Sequence, residues 1–305
     1  MKNMKYLSII LMACCFIGCK DAPKKSGKLN IVTTTTMITD LVKNIGGDHI
    51  EINGLMGAGV DPHLYKASEG DVSKLYNADI IFYNGLHLEG KLVEVFEKME
   101  SSNKIQVGLA DALDESTLIG SEYFASNYDP HVWFDIEYFK LFAAKVAQVL
   151  SENDPEHSVQ YVENEKLYTA KLDALQDEIR ATIDSLPIQK RILVTAHDAF
   201  NYFGKAYDFE VVGLQGLSTA TEAGVQDVQR LSSFIIDNDV KAIFVESSVP
   251  RRTIEALQQS VKSKGHEVVI GGSLYSDALG NPNTVEGTYI GMFRYNVNTI
   301  VLELK

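Results

Sequence analysis

Beyond Cys19 this 305-residue chain has no cysteine: its three, Cys14, Cys15 and Cys19, crowd into the first twenty positions. A body without thiols forms no disulfide and offers no thiolate, so a metal held there would be bound through nitrogen and oxygen. Long apolar runs are missing as well. The main one, from Tyr6 to Gly18 behind Lys2 and Lys5, is too short to cross a bilayer and reads as the core of an export signal. Positive charge is scarce: 28 Lys and Arg stand against 41 Asp and Glu, a net charge of −13. Without the two signal lysines and the net +3 of residues 20–28, the body from Leu29 carries about −18. That sign argues against nucleic acid as a partner and concentrates cations near the surface. The chain also lacks H-E-x-x-H and G-x-S-x-G, which removes the usual signatures of zinc peptidases and serine hydrolases.

The N-terminal features form a series. Phe16-Ile17-Gly18-Cys19 resembles a bacterial lipobox, with Phe16 in place of the usual leucine. It implies cleavage before Cys19 and acylation of that residue; ordinary cleavage without lipid is the alternative. Residues 20–28 are a polar tether without apolar periodicity, and the fold is expected to start near Leu29.

One tripeptide occurs twice, as Asp61-Pro62-His63 and Asp129-Pro130-His131. Proline fixes its own φ and pushes the preceding residue out of the helical region, so each histidine follows a stiff corner. A stiff corner suits a metal ligand, and the aspartate could take the proton of the second ring nitrogen. An Asx turn that merely opens a helix is the structural alternative.

From Leu29 onward, short β-branched runs alternate with helical stretches, the pattern of a parallel α/β fold. Strands are expected at Leu29 to Thr33, Ile50 to Leu55, Ile80 to Tyr83 and Ile105 to Val107, then at Ile192 to Thr195, Val211 to Gly213, Ala242 to Val245 and Val268 to Ile270. Asp154-Pro155 opens a helix in which Leu172, Leu175, Ile179, Ile183 and Leu186 repeat at helical spacing until Pro187. A helix from Pro155 to Leu186 would be about 48 Å long, too long for one lobe. It would run along two lobes as a backbone; a hairpin broken near Asn164 is the alternative. The expected organisation is a signal over 1–19, a tether over 20–28, an N-terminal α/β lobe over 29–153, a linking helix over 154–187 and a C-terminal α/β lobe over 188–305. A stiff link implies little hinge motion.

His197 and Asp277 are the candidate partners from the second half, each following a strand, where ligands of open α/β sheets collect. Three imidazoles and one carboxylate suit Zn²⁺ or Mn²⁺ rather than Ca²⁺. His87 reads as an oriented or packing histidine, and His49, His157 and His266 as solvated. Asp135 reads as the N-cap of a helix from Ile136 to Leu150, Trp133 as packing behind His131, and Glu246 as either a cleft-wall acceptor or a strand-end residue.

The segments Asp61-Pro-His-Leu-Tyr, Tyr83-Asn-Gly-Leu-His-Leu-Glu, Asp129-Pro-His-Val-Trp-Phe-Asp, Thr195-Ala-His-Asp-Ala-Phe, Gly213-Leu-Gln-Gly-Leu-Ser-Thr, Phe244-Val-Glu-Ser-Ser and Leu274-Tyr-Ser-Asp-Ala closely resemble, in order, the zinc/manganese substrate-binding proteins of ABC importers, the TroA-like family. The resemblance implies an α/β fold of two (β/α) lobes with mostly parallel four-stranded sheets joined by one long backbone helix. It also implies a cleft metal held by His63, His131, His197 and Asp277. The bound ion is then a transported substrate, Zn²⁺ or Mn²⁺, and not the centre of an enzyme. The implied partners are an ABC permease, the metal, and a bacterial membrane reached through the lipid on Cys19; the chain is expected to be a monomer facing the periplasm or cell exterior. Histidine at 197 and the absence of any histidine between Asp111 and Tyr128 leave zinc and manganese both open. A zinc hydrolase and a surface adhesin are the competing functions.

Overall fold

The β-branched runs of the first half become a four-stranded, all-parallel sheet in the computed structural model, which describes residues 27–100 and 104–305. The signal segment, Cys19 with its expected lipid, and the tether through residue 26 lie outside the described residues. Strands β1 (Leu29–Thr33), β2 (Ile50–Gly54), β3 (Ile80–Tyr83) and β4 (Ile105–Gly108) are ordered β2-β1-β3-β4. Ile80, Ile81 and Phe82 are all buried, as a parallel strand covered on both faces requires. The crossovers are helices with clear start signals. Thr35 caps α1 (Thr36–Gly46) by accepting from the Ile38 N–H, and Met37, Ile38, Leu41, Val42 and Ile45 form its buried stripe. Ser68 and Asp71 form a reciprocal capping box on α2 (Glu69–Asn77), and α3 spans Val93–Glu100.

Asp135 caps α4 (Ile136–Asn153), accepting from the Glu137 N–H. A 3₁₀ turn over Pro155–His157 then leads into α5 (Ser158–Ile183), whose 26 residues give a length of about 39 Å. It is shorter than the expected 48 Å because three residues at the start fold as that 3₁₀ turn and the helix ends at Ile183, three residues before Leu186. The hairpin alternative is excluded: Asn164 lies inside the helix and donates to the Ile45 carbonyl of α1 at 2.8 Å.

The second half contains β5 (Ile192–His197), α6 (Asn201–Tyr207), β6 (Glu210–Gln215), α7 (Val225–Asp237), β7 (Ala242–Glu246), α8 (Arg252–Ser263), β8 (Val269–Leu274) and α9 (Tyr289–Leu304). Its hydrogen bonding forms two parallel pairs, β5–β6 and β7–β8, with β5 lying against β7. Strand β8 runs past the expected stop at Ile270. Gly271 is absorbed where the register shifts between Ile243 and Phe244, and pairing resumes with Phe244 opposite Gly272.

α5 packs on α1 of the first half and on α9 of the second, where Arg294 makes a bidentate pair with Glu178 at 2.7 Å. The halves also share an aromatic seam. Phe139 stacks on Tyr289 at 3.8 Å, Phe134 packs tilted against Phe200 at 4.4 Å, and the Tyr289 hydroxyl donates to the Trp133 carbonyl at 2.6 Å. Aromatic pairs contribute about 0.5–1.5 kcal/mol each beyond their buried area, so a wide opening of the halves would forfeit several such terms. No helix among the described residues is long and apolar enough to cross a membrane.

Candidate metal centre

Each Asp-Pro-His corner closes as an Asx turn: Asp61 Oδ1 accepts the His63 N–H at 2.8 Å and Asp129 Oδ1 accepts the His131 N–H at 2.9 Å. The first corner follows β2; the second leads through a 3₁₀ turn, Val132–Phe134, into α4. His197 is the last residue of β5, where the sequence suggested a strand stopping two residues earlier. Its corner requires glycine opposite: a Cβ on Gly213 would meet the Asp198 nitrogen at 2.5 Å and the His197 carbonyl carbon at 2.6 Å. Asp277 lies three residues beyond β8.

These four residues converge. One ligand atom from each of His63, His131, His197 and Asp277 lies within 4.8 Å of all the others, and all four side chains are buried. His63 Nε2 is 3.3 Å from His131 Nε2, and His197 Nε2 is 3.3 Å from Asp277 Oδ2. His131 Nε2 is 3.7 Å from Asp277 Oδ1, and His63 Nε2 is 4.0 Å from Asp277 Oδ2. Tetrahedral ligands at zinc bond lengths stand about 3.3 Å apart, so the spacing fits a divalent ion at the centre. Among the described residues, both Asp277 oxygens and His197 Nε2 are buried without a hydrogen-bond partner, polar atoms that a cation would satisfy.

Behind two of the imidazoles stand carboxylates. Asp129 Oδ1 lies 2.7 Å from His131 Nδ1, and Asp129 is itself held by the Asn201 amide at 3.0 Å through Oδ2 and by the Tyr202 hydroxyl at 3.2 Å through its carbonyl. Glu246, the end of β7, accepts the His197 N–H through Oε1 at 2.9 Å. Its Oε2 stands 2.5 Å from His197 Nδ1, at ion-pair distance but out of line for a hydrogen bond. Glu246 is thus both a strand-end residue and an acceptor. Such partners fix the ring and turn Nε2 toward a metal. Trp133 lies edge-on to His131 at 5.3 Å and donates to the Ser276 carbonyl across the halves.

The titration behaviour follows from this packing. Burial, reinforced by the neighbouring His131 and His197, lowers the His63 pKa to about 3 despite Asp277, leaving a neutral ring with a free lone pair. Burial also acts to lower His197, but the Glu246 and Asp277 carboxylates outweigh it and hold that pKa well above the ordinary value. Burial would raise Asp277; the adjacent His197, then His63 and His131, hold it below the usual carboxylate range instead. Both directions favour an ion pair between His197 and Asp277, whose Nε2 and Oδ2 stand 3.3 Å apart.

The other histidines stand apart from this cluster. His87 is exposed on a turn at φ 62°, edge-on to Phe124 at 6.4 Å. His49 and His157 are half-buried rather than solvated, stacked at 4.1 Å, with Asp154 on His157 Nδ1; His266 is also half-buried. Asn201, Tyr202 and Phe124 border the site with no local signal in the sequence, because each is recruited by a contact with a distant segment, and Thr219, the end of the Gly213-Leu-Gln-Gly-Leu-Ser-Thr segment, is recruited in the same way by Asp61.

The sequence profile described as ZnuA, zinc-uptake complex component A, periplasmic, matches residues 31–302. The zinc-binding protein TroA of Treponema pallidum is 47% identical over 287 residues, covering 94% of this chain and 92% of its own length. The manganese-binding lipoprotein MntA of Bacillus subtilis is 46% identical over 291 residues, covering 94% of each. The solved structure of the T. pallidum periplasmic zinc-binding protein TroA superposes with a TM-score of 0.89 at 46% identity, covering 91% of this chain and 99% of its own.

Proposed function

The chain belongs to the ZnuA family of zinc-uptake components, and from that membership we propose that it is the extracytoplasmic substrate-binding component of an ABC importer for zinc, manganese or both. His63 and His131 from one half and His197 and Asp277 from the other would hold the ion as cargo, and a membrane permease would receive it. The observation that carries this reading is the convergence of four buried candidate ligand atoms from four separate segments, with neither Asp277 oxygen in a hydrogen bond among the described residues. Relatives named for zinc and for manganese stand at 47% and 46% identity, so similarity does not choose between the metals. The donor set, three imidazoles and one carboxylate, is suited to both.

Because the ion would bridge the two halves, it acts as a clamp on an arrangement that the aromatic seam already holds nearly closed. Four protein ligands leave no ready place for a reactive water, which supports a receptor over a hydrolase. Export with acylation of Cys19 would keep the receptor beside its permease. The test is calorimetry of the full chain with Zn²⁺ and with Mn²⁺. Metal at a thousandfold excess over Kd should raise stability by about 4 kcal/mol and the melting temperature with it. No thermal shift under saturating Zn²⁺ or Mn²⁺ contradicts the proposal.

A further inference from the structure

The loop before the second Asp-Pro-His corner turns one side chain inward. Gly120 bridges Tyr128, the Ser121 N–H donates to the Asn127 carbonyl at 2.7 Å, and Asn127 turns at φ 63° with its N–H on the Phe124 carbonyl at 2.8 Å. Between Gly120 and Tyr128 only Phe124 is buried, while Tyr123 beside it is 99% exposed. The Phe124 ring meets the edge of His63 at 6.3 Å on its inner side and that of exposed His87 at 6.4 Å. It also lines a cavity of about 430 Å³ shared with Asp198, Leu214, Gln215, Gly216 and Glu222 of the opposite half. That cavity is polar and suited to a hydrated cation. Among the described residues Gln215, 6% exposed, has no hydrogen-bond partner at its Oε1, and the wall carries three carboxylates, Asp198, Glu222 and Asp227, against one guanidinium, Arg230, which pairs with Asp227 at 3.7 Å.

We propose that Phe124 is the gate between this vestibule and the metal centre, a residue that sets how fast the ion enters and leaves without ligating it. A divalent cation in the vestibule can meet the amide oxygen of Gln215 and the carboxylates of Asp198 and Glu222. The proposed route from there to the Nε2 atoms passes the Phe124 ring, the wall residue that meets His63 edge-on. A barrier of this kind acts on entry and exit alike, so its removal changes both rates and leaves their ratio.

The inference rests on the metal-receptor reading, and stopped-flow exchange separates the two. Full chain loaded with Zn²⁺ is mixed with excess chelator to read release, and metal-free chain with Zn²⁺ to read uptake. Phe124→Ala should accelerate both about tenfold or more while changing Kd less than about threefold; a tenfold rate change corresponds to 1.4 kcal/mol in the barrier. Phe124→Leu, which keeps an apolar plug and guards against misfolding of the alanine variant, should fall between it and the parent. Release and uptake at parental rates in both folded variants would overturn the gate while leaving the receptor intact. A loss of affinity that appears only in release would also overturn it, since that is the signature of a ligand-supporting residue. A parent chain that binds no Zn²⁺ would overturn the receptor reading and the gate together.

Discussion

The two Asp-Pro-His corners have the same three residues and the same backbone turn, yet their aspartates are used differently. Asp129 keeps its own histidine: one oxygen takes both the His131 backbone N–H and the ring Nδ1, and the other is held by Asn201. Asp61 also takes its histidine's backbone N–H, but its second oxygen accepts from Thr219 of the opposite half at 2.5 Å, and among the described residues the ion-pair partner of the His63 ring is Asp277 and not its own aspartate. His131 is fully buried and flanked by Trp133, whereas His63 is 5% exposed and faces the Phe124 loop. The tripeptide therefore dictates the corner, and the tertiary surroundings decide whether the aspartate orients the imidazole or ties the halves together.

The sharpest way to break this comparison is to remove each imidazole. Structural zinc sites of four ligands are worth about 10–16 kcal/mol, roughly 3 kcal/mol per ligand, so His131→Ala should weaken Zn²⁺ binding by about 100-fold or more. His63→Ala should cost less, because the ring it removes is the less firmly held one. Chelator-competition titration reads both; a His63 loss that exceeds the His131 loss would reverse the ranking. The aspartates come next. Asp129→Asn should lower affinity about 10–100-fold, the usual effect of losing a carboxylate behind a metal-bound imidazole. Asp61→Asn keeps an oxygen for the His63 N–H and should change affinity only a few-fold; equal losses in the two variants would show that the corners are equivalent after all.

Acid acts on the other half of the site, through His197. His197, whose pKa is raised in the folded chain, contributes stability to the metal-free protein below its unfolded value of about 6.5, and that contribution is lost as pH rises through the raised value. At neutral pH its proton must leave when a metal binds, so affinity should rise about tenfold per pH unit there, with one proton released per ion. His63, at about 3, has no proton to give up. Calorimetric titration in buffers of different ionisation enthalpy counts the protons, and a count of zero near pH 7 would contradict the His197–Asp277 pair.

Much of the frame is legible in the chain because it is written in local periodicity. β1 and β3 fall on the residues that their β-branched runs mark, and Asp135 caps the helix that it precedes. Misreadings arise where a local rule meets a tertiary one. Gly271-Gly272 looks like a strand stop but is absorbed at a register shift, and the polar end of β5 extends through His197 because Gly213 leaves room for its backbone. The positions of His63, His131, His197 and Asp277 stand out as corners and strand ends. What stands behind them does not. Asn201 on Asp129 and Thr219 on Asp61 are joined across 72 and 158 positions, and no local pattern announces such pairs. The split use of two identical aspartates is hidden for the same reason.

The central claim is that three imidazoles and one carboxylate from the two halves form a single metal site. X-ray absorption at the zinc edge of the loaded full chain tests it most directly. The account predicts nitrogen and oxygen neighbours at about 2.0–2.2 Å, with outer-shell scattering from three imidazoles and no sulfur. A first shell made mostly of water oxygens, with one imidazole or none, would contradict it.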